Sequence, residues 1–573
     1  MVRTNELNML LILPLNSPYD FIVGNVDEAA KKNKDKIGIN KPELVMPNGV
    51  LSIAAYVQKH FPGVHIKILD LNAVICMLGE ENHALLRRMS SEDFWRYAID
   101  LLDGFNPELI GLSVLFASAL PDLSDLSCFL KEKFAGSIVF AGGHVPTASP
   151  DIVFQRSPAI DYIVYGEGEI PVRELCEDIF AGKEARIHAS SNSSWITREK
   201  LADAFFKAEN KLIYDLDEIP AYNLDNIVRR DFYSTYGSPT LFKEERDGLD
   251  CLCLLTTRGC PGRCLFCASR VVHGRKIRAY SEQRVKDDIN KYIHDYRIQR
   301  ITFYDDHFIS NKTKAINILE FMRANGYKCD IANVAFFAMD NDVARAIKRA
   351  GIESVVIAVE NANENTFKNI IHKYGGFSKV KEAIKCLKDA GILIICNIVI
   401  GLPGETKEDM EINKRNMVEL GCNWYQCYVA APLPGSELYD ICKENGYISD
   451  TDDIFLMNYK HGLINTPEFS AEYVENKVYE TNLYVNFVHN YDMRAGNYAT
   501  ALMLFERVIN DIIDTHAFAY YFAATCAKEL GQYEKAARYG QKYLELIEKL
   551  AFWRNWAEHF GLNPLNLKTA LPK

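Results

Sequence analysis

Short apolar strands alternate with amphipathic helices twice along this chain, and that alternation restricts the fold more than any other feature. In the first series the pattern predicts strands at Met9–Leu13, Val64–Leu69, Leu109–Val114, Ser137–Ala141 and Tyr162–Tyr165. Helices fall between them at Gly49–His60, Ser91–Leu102, Leu120–Lys133 and Ile170–Phe180. Such alternation argues for an α/β fold with a doubly wound parallel sheet. Ligands of these sheets bind beyond the carboxyl ends of the strands. Gly/Ser/Pro-rich turns stand where those ends belong: Gly111–Ser118, Gly142-Gly143-His144 and Gly166-Glu167-Gly168-Glu169.

The second series predicts strands at Leu252–Thr257, Arg300–Tyr304, Val334–Phe337, Ser354–Val359, Leu393–Ile400 and Trp424–Ala430. Helices separate them at Ser281–Ile293, Lys312–Asn325, Asp340–Ala350, Val380–Ala390 and Lys407–Leu420. Six such units suggest a partial (β/α)6 barrel, with its chemistry on the loops after the strands. The 573 residues are then expected to divide into a first domain at 1–181, a polar linker at 182–248, the barrel at 249–436 and an all-helical region at 437–573. In that last region Asn497-Tyr498-Ala499-Thr500-Ala501-Leu502 resembles Gln532-Tyr533-Glu534-Lys535-Ala536-Ala537. The spacing of about 35 residues is similar to a tetratricopeptide unit.

The net charge of −11 disfavours a nucleic-acid partner bound through phosphates. No apolar run reaches the roughly 18 residues that a membrane helix needs. The N-terminus lacks a basic region followed by a long apolar run, so no signal peptide is expected and a cytoplasmic location is. The 15 cysteines are mostly isolated in apolar segments, as buried thiols are.

One cysteine group differs. Thr256-Thr257-Arg258-Gly259-Cys260-Pro261-Gly262-Arg263-Cys264-Leu265-Phe266-Cys267 follows directly on a predicted strand. Three thiolates at CxxxCxxC spacing on one loop can hold three irons of a cubane, leaving the fourth iron open to a ligand's amino and carboxylate groups. A structural zinc would want a fourth protein ligand, for which His273 is near in sequence. Gly259 and Gly262 permit the tight backbone of such a loop.

This stretch resembles the CxxxCxΦC signature of the radical S-adenosylmethionine (SAM) superfamily, with Phe266 as the aromatic residue. The resemblance implies that Cys260, Cys264 and Cys267 ligate a [4Fe–4S] cluster. It places Asp305 and Asp306, after the second barrel strand, where the family binds the methionine amino group. Glu360, at the end of the fourth strand, falls where a polar residue meets the ribose. Asn397-Ile398-Val399-Ile400-Gly401-Leu402-Pro403-Gly404-Glu405-Thr406 is similar to the fifth-strand motif beside the adenine, which brings in Gly401 and Glu405.

The resemblance extends to the first domain, which looks like the cobalamin-binding domain of a large radical-enzyme subclass. Asn48 and Gly49 begin its first helix, and Ser113, Gly142, Gly143, His144, Gly166, Glu167 and Gly168 lie at strand ends where corrin and nucleotide would approach. An Asp-x-His-x-x-Gly motif, whose histidine ligates cobalt from below, is not found in this domain. Asp305-Asp306-His307-Phe308-Ile309-Ser310 has the Asp and the His, but it belongs to the barrel and ends in Ser, and we read it as coincidence. His144 is expected to be a loop or nucleotide contact rather than a cobalt ligand.

The resemblance implies a cobalamin-dependent radical SAM methyltransferase that passes a methyl group from methylcobalamin to an unactivated carbon. A non-methylating enzyme of the same subclass, carrying out a cyclisation, ring contraction or rearrangement, is the first alternative. A cobalamin- or redox-sensing binding protein is the second. The implied cofactors are a [4Fe–4S] cluster, SAM and cobalamin. The implied partners are a small-molecule or peptide substrate and an electron donor such as flavodoxin or ferredoxin.

Overall fold

The computed structural model describes residues 6–24, 42, 44, 46–231, 251–449 and 461–562. These fall into two compact units. One is drawn from Met1–Ala335, Arg345–Ile352 and Ala431–Asn458, the other from Phe336–Ala344, Glu353–Ala430 and Tyr459–Lys573.

The first unit opens with the strands β1 (Leu7–Leu13), β2 (Val64–Asp70), β3 (Leu109–Ser113), β4 (Ile138–Gly142), β5 (Tyr162–Val164) and β6 (Trp195–Ile196). They form one sheet in the order β2-β1-β3-β4-β5-β6. β1 is buried along nearly its whole length, as a central parallel strand covered by helices on both faces must be. Neighbours from β2 to β5 pair in parallel. The strand order reverses between β1 and β3, and such a reversal opens a crevice at the carboxyl edge where cofactors bind. The helix Asn48–His60 buries Val50, Leu51, Ala54, Ala55 and Val57. Ser90 and Asp93 close a capping box on Ser91–Asp100, satisfying two orphan amides at its first turn.

The polar stretch after residue 182 is not a bare tether. β6 runs antiparallel to β5, and Trp195 is fully buried. Two apolar residues are too few to register as periodicity, so this edge strand is invisible to pattern.

Within the same unit, β7 (Cys251–Leu254), β10 (Arg300–Phe303) and β11 (Lys328–Ile331) form a parallel sheet in the order β11-β10-β7. A two-residue antiparallel pair, β8 (Thr257–Arg258) with β9 (Arg278–Ala279), closes the loop between them. The third barrel strand is thus Lys328–Ile331 and not the expected Val334–Phe337. Cys329 and Ile331 face inward while Lys328 is exposed, and Asp330 meets Arg300 of β10 at 3.1 Å. Phe336–Ala338 is instead a short 3-10 turn. Its burial, and not ladder pairing, makes it apolar.

The second unit contains β12 (Ser354–Glu360), β13 (Leu393–Ile400) and β14 (Trp424–Val429), again parallel. The helices Phe377–Asp389 and Lys407–Leu420 connect them. The edge of β14 is satisfied by a side chain: Asn486 accepts from the Tyr425 amide at 2.8 Å and donates to its carbonyl at 2.8 Å. The four helices Tyr498–Arg507, Ala517–Glu529, Tyr533–Lys549 and Ala551–His559 follow. The two similar segments noted in the sequence each start one of these helices, at Tyr498 and Tyr533. Among the described residues no helix is long and apolar enough to cross a membrane, and no disulfide is formed.

Candidate active site

The cysteine loop leaves and re-enters through the β8–β9 pair. Gly259 has φ +85°, and a Cβ there would lie 2.4 Å from the Lys276 carbonyl oxygen. Only glycine allows the two arms of the loop so close. At Gly262 a Cβ would meet Cys260 Sγ at 3.2 Å and Cys264 Sγ at 3.7 Å. Glycine thus leaves a cradle with two sulfurs on its rim. Burial pushes the Cys267 thiol up to about 11, and Cys264, Asp306 and Cys260 add to the rise. Thiolates gathered in this way need a cation to hold them ionised. The all-sulfur donor set and the glycine cradle fit an iron–sulfur cluster. Phe266 is half-buried.

Asp305 is buried, and its Oδ1 accepts from the Thr256 amide at 2.7 Å, from both threonine hydroxyls at 3.1 and 2.8 Å, and from the Thr257 amide. It therefore anchors the strand end that launches the cysteine loop. Burial raises its carboxyl to about 6 against the pull of these hydrogen bonds. Its Oδ2 is buried with no partner. Such an orphan acceptor costs about 1–3 kcal/mol unless a ligand satisfies it. Asp306 is exposed and accepts from Ser269 Oγ at 3.2 Å.

Arg258, the residue between the Asp305 anchor and Gly259, is buried and reaches into the first sheet's helical layer. It donates to Glu169 Oε1 at 2.8 Å and to Ser52 Oγ at 2.7 Å, and it lies 3.3 Å from Glu167 Oε2. Arg278, from β9, donates to Glu167 Oε2 at 2.9 Å. His273 Nδ1 is 2.8 Å from Glu167 Oε1, so this histidine faces a carboxylate and not the cysteines. Two arginines and two glutamates thus lock the cysteine loop to the loop after β5. Against the burial that opposes ionisation, the charge of Arg258, with bonds from His273 and Arg278, holds Glu167 well below the usual carboxylate range. The glycines of that loop make room for protein: the Asn210 side chain fills the space at Gly166, and Ile53 that at Gly168.

At the carboxyl edge of the first sheet, Gly143 has φ +98°, and a Cβ there would sit 2.9 Å from the Val114 carbonyl. Gly142 pairs in register with Ser113, which is half-buried. His144 Nε2 lies 3.2 Å from the Pro434 carbonyl. Burial lowers its basicity, so a neutral ring donates there. Asn48 is buried and its Oδ1 is without a partner, while the position of a Cβ on Gly49 is open space. Leu115 and Phe116, directly after β3, are each 48% exposed. An orphan carbonyl, open space and exposed apolar side chains along this edge fit a large flat cofactor with polar substituents. The sequence places the turn Gly111–Ser118 at this edge without singling out the Leu-Phe pair within it.

In the second unit, Glu360 ends β12 at φ +71°, beside a register shift in the ladder. Its Oε1 accepts from Lys373 Nζ at 3.0 Å. Glu405 is fully buried. Its Oε2 accepts from the Gly401 and Leu402 amides at 2.9 and 2.8 Å, and its Oε1 from Asn361 Nδ2 at 2.9 Å. Burial raises its carboxyl to about 7. Gly401 has φ +92° and is packed on its Cα side by Val474. Asn397, on β13, keeps a buried Oδ1 without a partner.

Two stretches of the chain match known families. Residues 254–414 match the radical SAM superfamily, and residues 36–176 match the B12 binding domain. The chain belongs to the radical SAM enzymes that carry a B12-binding domain. An uncharacterised methyltransferase of Pyrococcus horikoshii is 27% identical over 382 residues, covering 66% of this chain and 79% of the relative. The cytidylyl-2-hydroxyethylphosphonate methyltransferase of Streptomyces wedmorensis is 24% identical over 467 residues, covering 74% and 83%. The cobalamin-dependent SAM radical enzyme OxsB, solved with aqua-cobalamin and SAM, shares the fold with a TM-score of 0.60 at 15% identity, covering 99% of this chain and 83% of OxsB.

Proposed function

We propose that this enzyme is a cobalamin-dependent radical SAM methyltransferase acting on an unactivated carbon of a small-molecule or peptide substrate. The observation that carries the reading is the buried Arg258–Glu167–Glu169–Arg278 network, which ties the cysteine loop to the B12-type sheet. When bound, a [4Fe–4S] cluster with SAM supplies radical initiation, and cobalamin supplies methyl transfer.

In this reading Cys260, Cys264 and Cys267 hold three irons. Asp305 Oδ2, buried without a protein partner, would accept from the ammonium of SAM. In the second unit Glu360 and Glu405 shape their own strand ends: Glu360 through Lys373, Glu405 by gathering the amides of Gly401 and Leu402. Asn48, Gly49, Ser113, Gly142 and Gly143 border the corrin site, with Leu115 and Phe116 as its apolar floor. His144 stays on Pro434 and does not ligate cobalt. The electron donor is a flavodoxin or ferredoxin, in a reducing cytoplasm.

The test uses protein reconstituted anaerobically with iron, sulfide and cobalamin and then given SAM, reductant and candidate substrates. Methylated product is expected with both S-adenosylhomocysteine and 5′-deoxyadenosine. Cys264→Ala is expected to retain cobalamin and lose deoxyadenosine. Deoxyadenosine without S-adenosylhomocysteine would mark a rearranging enzyme, and failure to retain cobalamin would sink the reading.

A further inference from the structure

His307 is buried, and its Nε2 lies 2.8 Å from Cys260 Sγ. It stands two residues after Asp305, on the turn that leaves β10, and its carbonyl accepts from the Ser310 amide at 3.0 Å. The neighbouring Phe308 stacks on Phe303 of β10 with ring centres 4.4 Å apart, which fixes the turn. Cys260 Sγ also receives the Gly262 amide at 3.4 Å. This sulfur is therefore approached by two nitrogens, one a backbone amide that donates and the other a ring nitrogen of a side chain that the sequence alone gave no reason to bring there.

We propose that His307 sets the reduction potential of the cluster by donating its Nε2 proton to Cys260 Sγ. The proposal rests on the reading that the three cysteines hold a [4Fe–4S] cluster. Donors to a ligating sulfur withdraw electron density from iron and stabilise the more negative, reduced state. In a buried site the dipole of a ring N–H is poorly screened, so its effect is larger than in water. Reduction adds one electron, supplied by dithionite or a protein donor; no bond to His307 forms or breaks, and the proton stays on the ring. His307 is a positioning residue here, acting through Cys260.

The test is a redox titration of the anaerobically reconstituted full chain, following the reduced cluster by electron paramagnetic resonance in wild type, His307→Phe and His307→Gln. Iron and sulfide content are measured alongside. Loss of the donor in His307→Phe is expected to leave iron content unchanged and to lower the reduced-to-oxidised ratio at the wild-type midpoint about tenfold, equivalent to about 59 mV for a one-electron couple. The glutamine amide can still donate, so His307→Gln is expected to stay within about threefold of wild type. A His307→Phe ratio equal to wild type at full iron content overturns the proposal. So does loss of iron from both variants, which would assign His307 to holding the loop or the metal. Wild-type protein that takes up no iron would instead overturn the cluster reading itself.

Discussion

Two loops that each follow a parallel strand bury a glutamate, and they treat it in opposite ways. After β5, Glu167 lies among Arg258, Arg278 and His273. After β13, Glu405 is met by two backbone amides and an Asn amide. The surroundings hold one carboxyl far below its ordinary value, whereas burial lifts the other to about 7. Burial opposes ionisation in both, and what differs is whether a full positive charge answers it. The first loop is a charged clasp across two layers of one unit. The second is a local brace that shapes its own turn.

The comparison is broken most severely by removing the charge. Arg258→Met leaves Glu167 to Arg278 and His273 and leaves Glu169 with the Ser52 hydroxyl but no facing cation, and it is expected to cost about 3–5 kcal/mol in denaturant unfolding. A cost below about 1 kcal/mol would show that the clasp is not held by charge.

Next in size is the pH response. The folded-state value of Glu405 lies above its unfolded value of 4.5, so the folded state binds the extra proton. Stability is then lost as pH rises from about 4.5 to about 7, by about 3 kcal/mol. Glu405→Gln should remove that slope, measured as the difference between wild-type and variant unfolding curves at pH 5 and pH 8. Glu167 has the opposite sign: its contribution is present above 4.5 and is lost as pH falls toward its lowered folded value. Parallel pH slopes in wild type and Glu405→Gln would refute the brace.

The smallest expected effect sharpens the first. Ser52→Ala removes a hydroxyl that bonds Glu169 and accepts from Arg258 but leaves every charge in place, and it should cost about 1 kcal/mol. If it matched Arg258→Met, the network would depend on hydrogen-bond closure and not on ion pairing.

Much of this was legible in the sequence because the signals are periodic or local. Four of the five parallel strands of the first sheet have the length and apolarity of buried strands, and the three cysteines lie within eight residues of one loop. β11 was misplaced because a strand of four residues with one exposed lysine carries less apolar signal than the buried turn after it. Partners distant in sequence were unreadable. Nothing near Glu167 in the chain announces Arg258 or Arg278, and nothing in Asp305-Asp306-His307 announces that the imidazole turns to Cys260. A surplus histidine next to an acidic pair resembles a cobalt motif when read as letters. Only the turn after β10 gives it a direction.

The β8–β9 pair has a consequence for how the enzyme is made. Ribosomes build the chain from its N-terminus, so every protein group assigned to the metal has been synthesised before β12 exists. The sheet that clasps the cysteine loop through Glu167 and Glu169, the pair that closes the loop, Asp305 that anchors it and His307 that touches Cys260 all precede residue 308. Iron delivery is thus not obliged to wait for the C-terminal helices, and a scaffold protein supplying the cluster could meet its client while translation is still under way.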